Sequence, residues 1–167
     1  LEHLATTDHL TNLLNRRAFL DAMEKEMRRA HRYGQPLTLL MLDVDHFRGI
    51  DEAHGHQGGD RAREQLAARL TQSLRPSDFV SRLGGDEFAV LLPSTRLAEA
   101  TLVAERLRAD VEQATDPAMT VSIGVRELGV DIRSTILGAD AQLYAAKRGD
   151  RNAVRAPLSV TRSAAVP

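Results

Sequence analysis

The sequence contains no cysteine and no tryptophan, and its aromatic residues amount to only 4%. Without cysteine the chain has no disulfide framework, no thiol nucleophile and no cysteine-based zinc site. So few aromatic side chains leave little material for stacking single-stranded nucleic acid. No apolar run approaches the ~20 residues that a membrane-spanning helix needs, and the longest one, Leu37 to Val44, is interrupted by Asp43. We therefore expect no nucleic-acid polymer as a partner and no direct membrane contact by this domain.

Positive and negative charges nearly cancel, with 22 Lys and Arg against 23 Asp and Glu and a formal net charge of -1. A chain this close to neutral is a poor general binder of nucleic acid or of anionic membranes. Its 167 residues are enough for one domain with a core of its own. Because the chain begins with Leu1 rather than Met, we expect a fragment that lacks its sensor domain. The domain is expected over residues 1–155 and a flexible tail over 156–167.

Hydrophobic periodicity and chain-breaking residues predict the element order α–β–α–β–β–α–β–α–β. The predicted strands cover 37–44, 79–83, 87–92, 119–125 and 152–154, and the predicted helices cover 16–33, 61–74, a segment from Pro93-Ser94-Thr95 to the break at Asp116-Pro117, and 132–148. Residues 1–15 are predicted as a helix and connector. Residues 45–60 are predicted as a loop with a helical turn, and Asp60 as the N-cap of the next helix. The inner β–α–β–β–α–β is a split βαβ, ferredoxin-like arrangement, so we predict an α+β fold with helices flanking a mixed, mainly antiparallel sheet.

Acidic residues stand at two places where this predicted sheet would bring them together. Asp43 and Asp45 lie at the end of the apolar strand, where a carboxylate costs several kcal/mol unless it is paired or bound to a metal. Asp86 and Glu87 follow Gly84-Gly85, which is a tight-hairpin signal. Oxygen ligands of this kind suit Mg²⁺ or Mn²⁺, which often binds substrate phosphates as well. The pattern indicates metal-assisted phosphoryl chemistry on a nucleotide; the alternative is that these acids are solvated turn residues.

A series of motifs along the chain matches one known pattern in order and spacing. They are Asp8-His9-Leu10-Thr11-Asn12-Leu13-Leu14-Asn15-Arg16-Arg17, Leu42-Asp43-Val44-Asp45-His46-Phe47-Arg48, Gly55-His56-Gln57-Gly58-Gly59-Asp60, Arg82-Leu83-Gly84-Gly85-Asp86-Glu87-Phe88, Val121-Ser122-Ile123-Gly124, and Ala139-Asp140 with Tyr144, Lys147, Arg151 and Asn152. Over about residues 7–155 the chain resembles the GGDEF family, the diguanylate cyclase domains. The resemblance implies a fold similar to adenylyl cyclase catalytic domains and polymerase palms. It also implies condensation of two GTP molecules into cyclic di-GMP and two pyrophosphates by a homodimer in which each domain holds one GTP.

The resemblance assigns catalytic and metal-binding roles at the end of the predicted sheet. Asp43 and Asp86 are the implied side-chain ligands of Mg²⁺ or Mn²⁺, and Val44 contributes its backbone carbonyl. Asp86 is also the implied general base, and Glu87 lies beside the metal. Arg48 stands where the family usually has a lysine that stabilises the transition state, so the charge is kept and the donor geometry changes.

Substrate-binding roles are implied for a second set of residues. Lys147 and Arg151 match positions that hold the terminal phosphates, and the Phe47 region places backbone amides near the same phosphates. Gly84 and Gly85 leave room for the nucleotide to approach the backbone.

Guanine recognition is implied for Asp51 and Asp60, with His56 nearby. Here the chain reads Ile50-Asp51-Glu52 where I-N-D is usual, and an ionised Asp only accepts hydrogen bonds whereas Asn also donates. A guanine acceptor left unpaired by this change costs about 1–3 kcal/mol. Asp150 stands where glycine is usual and adds a negative charge beside Arg151.

A product-inhibition site is implied by Arg75-Pro76-Ser77-Asp78, which has the form and position of the family's R-x-x-D motif, together with Arg106. Arginine can bind guanine O6 and N7 in bidentate fashion, and Asp can accept from N1 and N2. The plainer alternative is that Arg75 favours a helix end and that Pro76-Ser77-Asp78 forms an ordinary turn.

Two functions from different classes remain after this comparison. The intact Gly84–Phe88 motif with Lys147 and Arg151 favours an active, product-inhibited cyclase. Asp51 and Asp150 favour a degenerate module that binds cyclic di-GMP or GTP as a receptor. A pure dimerisation module is disfavoured because so many site positions are filled. Because the chemistry uses GTP, we expect a cytoplasmic domain of either a membrane-anchored or a response-regulator-type parent protein.

Overall fold

A five-stranded sheet runs through residues 5–158, the part of the chain that the computed structural model describes. Its strands are β1 (Leu37–Val44), β2 (Phe79–Gly84), β3 (Glu87–Pro93), β4 (Val121–Glu127) and β5 (Val154–Arg155), in the order β2-β3-β1-β4-β5. Neighbouring strands are antiparallel except for β4 and β5, which are parallel. The first four strands thus adopt the split βαβ arrangement. The predicted α+β fold class is confirmed.

Helices cover both faces of this sheet. They are α1 (Arg16–Tyr33), α2 (Phe47–Ser73), α3 (Leu97–Ala114) and α4 (Ile132–Arg148). On one face Leu66 and Leu107 of α2 and α3 pack with the β1 residue Leu42. On the other face Phe19 and Leu143 of α1 and α4 belong to a second apolar cluster. Because β1 is buried on both faces along its whole length, its sequence is a nearly unbroken apolar run.

The close approach of α4 to the sheet determines where its last turn lies. A Cβ at Gly124 of β4 would come within 2.3 Å of both Ala139 O and Leu143 N, so only glycine allows α4 to lie this near. Gly124 is paired with Met41 of β1, so α4 also runs beside the central strand. This packing carries Lys147, in the last turn of α4, to the end of β1.

The largest difference from the predicted elements lies in residues 45–60. These residues are helical from Phe47, and α2 bends where Gly55 has φ 71° and ψ 179°. Composition predicted a loop because glycine, histidine and aspartate are weak helix formers, but packing of the two segments against each other overrides that preference. Asp60 lies inside α2, so its predicted role as an N-cap is wrong.

The leading segment also differs from its prediction. Residues 5–15 form turns rather than a helix, with Thr7 paired to Leu14 and Leu14 bridged to Ser81 of β2. Residues 1–4 lie outside the described residues, as do 159–167, which hold most of the predicted tail. Within residues 5–158, every helix is too short or too polar to cross a membrane.

Smaller differences affect element ends, where chain breakers mark boundaries only to within a few residues. α3 begins at Leu97, β4 covers Val121–Glu127, and β5 covers Val154–Arg155. The ends of α1 agree with the sequence: Asn15 Oδ1 accepts from Ala18 N at 2.9 Å, and Gly34 ends the helix with φ 63°. Both are standard helix caps.

Candidate active site

Two buried carboxylates at the end of β1 have opposite surroundings. Asp45 is 5% exposed and accepts hydrogen bonds from Thr120 Oγ1 at 2.7 Å, Ser122 Oγ at 2.6 Å and Asn152 N at 2.8 Å. Asp43 is 6% exposed, and its Oδ2 pairs with Lys147 Nζ. Its Oδ1 is buried and has no hydrogen-bond partner within residues 5–158. Because an unpaired buried oxygen is costly, Asp43 is suited to receive a ligand and Asp45 is not.

Asp86 lies beside this carboxylate because β3 pairs with β1. Asp43 is directly opposite Glu87 in the β1–β3 register, and Val44 N donates to Asp86 O at 3.4 Å. The turn that leads to Asp86 has φ 148° at Gly84 and φ 51° at Gly85, a conformation that strongly favours glycine. The hairpin predicted from Gly84-Gly85 is confirmed, and it brings the two predicted metal ligands to the same end of the sheet.

Two cations at the end of α4 face these carboxylates. Lys147 pairs with Asp43, and burial lowers the pKa of Lys147, an effect that nearby Arg151 increases. Arg151 is exposed, with its backbone N–H donating to Ala146 O at 3.2 Å. Positive and negative side chains at one site match the needs of a metal–triphosphate, whose phosphates attract the cations and whose metal attracts the carboxylates.

One cavity of about 420 Å³ collects these groups at the open end of the sheet. It is lined by Asp43, Val44, Asp45, His46, Phe47, Arg48, Asp51, Asp86, Lys147 and Arg151. Its volume lies within the ordinary range for small-molecule sites. Most of the residues that the motifs mark as catalytic, metal-binding or phosphate-binding therefore border a single space.

The donor set at this cavity fits a hard divalent cation. Asp43 offers a buried, unpaired oxygen, and Asp86 and the Val44 backbone adjoin it. Within residues 5–158 no group of three or more His, Cys, Asp or Glu side chains is gathered as a metal site. Mg²⁺ is commonly held by one or two carboxylates, with waters and substrate phosphates completing its coordination. The residues present therefore fit Mg²⁺ or Mn²⁺.

The predicted guanine-binding residues lie on the two segments of α2. Asp51 Oδ1 would be only 2.6 Å from a Cβ at Gly59, so the segments touch at these two residues. Asp51 Oδ2 is 3.4 Å from His56 Nδ1, and the side chains are 30% and 97% exposed. Asp60 is half exposed. Of the three residues, only Asp51 lines the cavity.

Two further predicted residues lie apart from the centre of the cavity. Arg48 lines it but is 93% exposed, and its Nε donates to Glu52 Oε1 at 3.1 Å. Glu87 is exposed and borders a different cavity of about 120 Å³, shared with Arg16 and Asp140. The resemblance implies a place beside the metal for Glu87 and a transition-state role for Arg48. In the structure Arg48 lies at the exposed rim of the cavity and Glu87 lies outside it.

The predicted inhibitory residues form a separate cluster near the far end of α2. Asp78 is 2% exposed in its side chain and accepts from Arg75 N at 2.8 Å through Oδ2 and from Arg75 Nη2 at 3.4 Å through Oδ1. The same Nη2 donates to Thr95 Oγ1 at 2.9 Å. Arg106 Nη2 donates to Ser73 O at 3.1 Å, two residues before Arg75. The three residues are thus neighbours. Arg75 and Asp78 form a turn in which Arg75 donates hydrogen bonds to both carboxylate oxygens of Asp78.

An ion pair that sequence reasoning missed connects the leading segment to the hairpin. Arg82 Nη1 donates to Asp8 Oδ1 at 3.0 Å, and Asp8 Oδ2 accepts from Thr11 N at 2.9 Å. Burial alone would raise the pKa of Asp8, but hydrogen bonds from Thr11 and Arg82 outweigh it and lower the pKa. Both partners belong to the quoted motifs, so their pairing was available as a hypothesis. Arg63 of α2 was also missed, since it resembles any solvated helix arginine in sequence.

Comparison with known families agrees with this geometry. Residues 5–153 match the family model described as diguanylate cyclase, GGDEF domain. The chain therefore belongs to the GGDEF family.

Named relatives share most of this chain but extend well beyond it. The diguanylate cyclase DgcP of Pseudomonas aeruginosa is 40% identical over 156 residues, covering 89% of this chain and 23% of that protein. The response regulator PleD of Caulobacter vibrioides is 36% identical over 162 residues, covering 90% of this chain and 36% of PleD. The chain thus spans about a quarter to a third of the length of these relatives.

Solved structures show the same fold. The GGDEF domain of DgcB from Caulobacter crescentus, in complex with c-di-GMP, superimposes with a TM-score of 0.87 at 36% identity, covering 93% of this chain and 95% of that one. The diguanylate cyclase SiaD of Pseudomonas aeruginosa, in complex with its activator SiaC, gives a TM-score of 0.85 at 38% identity, covering 91% and 62%.

Proposed function

We propose that this domain is a diguanylate cyclase that condenses two GTP molecules into cyclic di-GMP and two pyrophosphates. The observation that carries the proposal is the buried Oδ1 of Asp43, which has no hydrogen-bond partner within residues 5–158. Asp43 shares a cavity with Asp86, Lys147 and Arg151. Such a group needs an electropositive ligand, and the neighbouring cations need an anionic one. A metal-bound nucleoside triphosphate provides a cation for Asp43 and phosphate oxygens for Lys147 and Arg151. Relatives named as diguanylate cyclases support this choice.

Substrate binding follows from the charges and the helix end at the cavity. Lys147 and Arg151 bind the terminal phosphates, with Lys147 exchanging its Asp43 partner for phosphate oxygens. The backbone N–H groups of Phe47 and Arg48, at the start of α2, add donors for the same phosphates. Asp43, Asp86 and the Val44 carbonyl would hold Mg²⁺ or Mn²⁺, which neutralises the triphosphate and lowers the pKa of a nearby hydroxyl.

The reaction joins two nucleotides held by two copies of the domain. Asp86 accepts the proton of the 3′-hydroxyl of one GTP as that oxygen attacks the α-phosphate of the other GTP. The new O–P bond replaces the bond to pyrophosphate, which leaves, and the symmetric step closes the ring. Arg48, exposed at the rim of the cavity, is placed to stabilise charge on the transferring phosphate. A homodimer is required because each domain holds one nucleotide.

Product inhibition at a distance from the cavity is part of the proposal. Arg75, Asp78 and Arg106 bind cyclic di-GMP, with guanidinium groups on guanine O6 and N7 and the carboxylate on N1 and N2. From the GTP requirement we infer a cytoplasmic domain. For the parent protein we propose a membrane-anchored or response-regulator type, and similarity to the response regulator PleD supports the latter.

A second function is favoured by one specific observation at the guanine side of the site. Asp51 offers only acceptors, and its Oδ2 is already near His56 Nδ1 at 3.4 Å. If guanine needs a donor there, the domain binds GTP or cyclic di-GMP without turnover and acts as a receptor.

The deciding experiment measures cyclic di-GMP formation from GTP and Mg²⁺ at high protein concentration, after bound product has been removed. The unmodified chain is compared with Asp51→Asn and with Asp86→Ala. Turnover that Asp86→Ala abolishes supports the cyclase. Activity only in Asp51→Asn supports the receptor function with a degraded GTP site. If neither the unmodified chain nor Asp51→Asn forms cyclic di-GMP, the cyclase assignment for this domain alone is contradicted.

A further inference from the structure

Arg63 is a largely buried arginine that the site described so far does not use. It lies on α2 one turn after Asp60, and its side chain is 17% exposed. Arg61, two residues earlier on the same helix, is exposed. Because a guanidinium stays charged in proteins, a buried one requires well-placed partners. The partners of Arg63 therefore indicate its role.

Those partners belong to three segments: the second half of α2, the β2–β3 turn next to Asp86, and the first turn of α2, which borders the active-site cavity. Arg63 Nη1 donates to Asp60 Oδ1 at 3.0 Å, and Nε donates to Gly85 O at 3.0 Å. Its Cζ lies 4.1 Å from the centroid of the Phe47 ring, a close cation–π contact. One planar group thus connects a predicted guanine-binding carboxylate, the β2–β3 turn and the first turn of α2.

The Gly85 carbonyl also accepts a hydrogen bond from a second arginine. Arg82 Nε donates to it at 3.0 Å, and Arg82 is itself held by Asp8, with Nη1 3.0 Å from Oδ1. The Gly85 carbonyl and the Asp86 N–H belong to one planar peptide unit. Two charge-assisted hydrogen bonds on that carbonyl therefore set the direction in which the chain enters Asp86.

We propose that Arg63 is a positioning residue that couples the Asp60 carboxylate to the placement of Asp86. This inference rests on the proposed function, in which Asp86 holds the metal and accepts a proton, and on the guanine contact that the family resemblance implies for Asp60. Arg63 occupies Oδ1 of Asp60, so Oδ2 remains for guanine N–H donors. Guanine binding then holds the Asp60 carboxylate in place. The carboxylate in turn holds the Arg63 guanidinium, which fixes the Gly85–Asp86 peptide.

The inference predicts different behaviour for three substitutions. Arg63→Met keeps the aliphatic stem over Phe47 and removes both hydrogen bonds. Arg63→Lys keeps the charge but loses the fork that reaches Asp60 and Gly85 together. Arg61→Met removes the same charge from the exposed side of the same helix and serves as the matched control.

The experiment uses the full chain and three readouts. The first is hydrogen exchange of the backbone amides of residues 84–87 without nucleotide. The second is the Kd of a non-hydrolysable GTP analogue, measured with Mg²⁺ and with EDTA. The third is the pair of kinetic constants kcat and KM, determined separately. For Arg63→Met we expect faster exchange at 84–87 and a gain in analogue affinity from Mg²⁺ that is about 10-fold smaller. We also expect kcat to fall ~10–100-fold with a smaller change in KM, because displacing a catalytic group by about 1 Å has effects of this size. In all three readouts, Arg63→Lys should give values between those of Arg63→Met and those of the unmodified chain. Arg61→Met should give the values of the unmodified chain.

Two results would overturn the inference. One is unchanged exchange at residues 84–87 in Arg63→Met. The other is a uniform rise in exchange across the sheet with the Mg²⁺-dependent gain in affinity retained, which would mean that Arg63 only stabilises the fold. Failure of the proposed function has a different signature, because the unmodified chain then neither binds the analogue nor turns over GTP. In that case exchange at 84–87 alone supports or overturns the positioning role.

Discussion

The open end of β1 and the turn at Arg75 are both built around an aspartate with a buried side chain, yet within residues 5–158 only Asp78 has partners for both carboxylate oxygens. Asp43 leaves Oδ1 without a partner within residues 5–158. Asp78 uses both carboxylate oxygens to accept hydrogen bonds from Arg75. The cost of an unpaired buried oxygen is tolerated at the first place and avoided at the second.

If both places bind the ligands proposed for them, they differ in which bonds must break: a metal ion reaches Asp43 Oδ1 directly, whereas a ligand at the Arg75 turn has to displace existing hydrogen bonds. At β1, a cation gains a free oxygen without breaking a hydrogen bond of Asp43 Oδ1. At the Arg75 turn, a ligand must compete with the bonds from Arg75 to Asp78 and from Arg75 to Thr95. We therefore expect substitution of Asp43 to act mainly on chemistry and substitution of Arg75 to act on ligand affinity.

The largest effect is expected for Asp43→Asn. The amide keeps the size of the side chain but loses the charge that binds a metal ion, so turnover should fall at least about 100-fold. The folded state should change little in stability, because losing the buried charge removes its desolvation cost but also leaves the partly exposed Lys147 without its ion-pair partner. Initial rates of cyclic di-GMP formation and thermal denaturation measure the two quantities. A variant that kept normal turnover would remove Asp43 from the metal site.

The neighbouring Asp45→Ala should have the opposite effect. It leaves the donors of Thr120, Ser122 and Asn152 without their shared acceptor, and each unsatisfied buried donor costs about 1–3 kcal/mol. We expect a loss of at least about 2 kcal/mol in the free energy of unfolding, measured by urea denaturation. As a control, Asp21→Ala changes an exposed aspartate of α1 and should leave stability unchanged. Equal stabilities of the two variants would contradict a structural role for Asp45.

The smallest effect is expected for Arg75→Ala. Its side chain is 61% exposed, but its loss removes the donor to the buried Asp78 Oδ1, so we expect stability to fall by about 1 kcal/mol. The affinity for cyclic di-GMP should fall about 10-fold, as one lost bidentate guanine contact predicts. Isothermal titration with the purified dinucleotide measures this change. Arg133→Ala, at an exposed arginine of α4, is the matched control. Unchanged product affinity in Arg75→Ala would leave the turn with no role beyond its own structure.

Much of the fold was predictable because it depends on local patterns. The apolar run of β1, the stop at Gly34 and the Gly84-Gly85 hairpin each follow from the preferences of a few adjacent residues. The helix over residues 47–60 was not predictable in this way. Its glycines and histidines disfavour a helix locally, and contacts such as Asp51 against Gly59 form only after the chain has bent at Gly55.

By itself, the sequence determined the element order, the α+β fold class, the family and the candidate site residues, since motif order and hydrophobic period are properties of the chain. Only the tertiary structure decided which of Asp43 and Asp45 keeps a free oxygen. It also decided that Arg63 joins Asp60, Gly85 and Phe47. These outcomes depend on distances between segments that are far apart in sequence, and packing alone sets those distances.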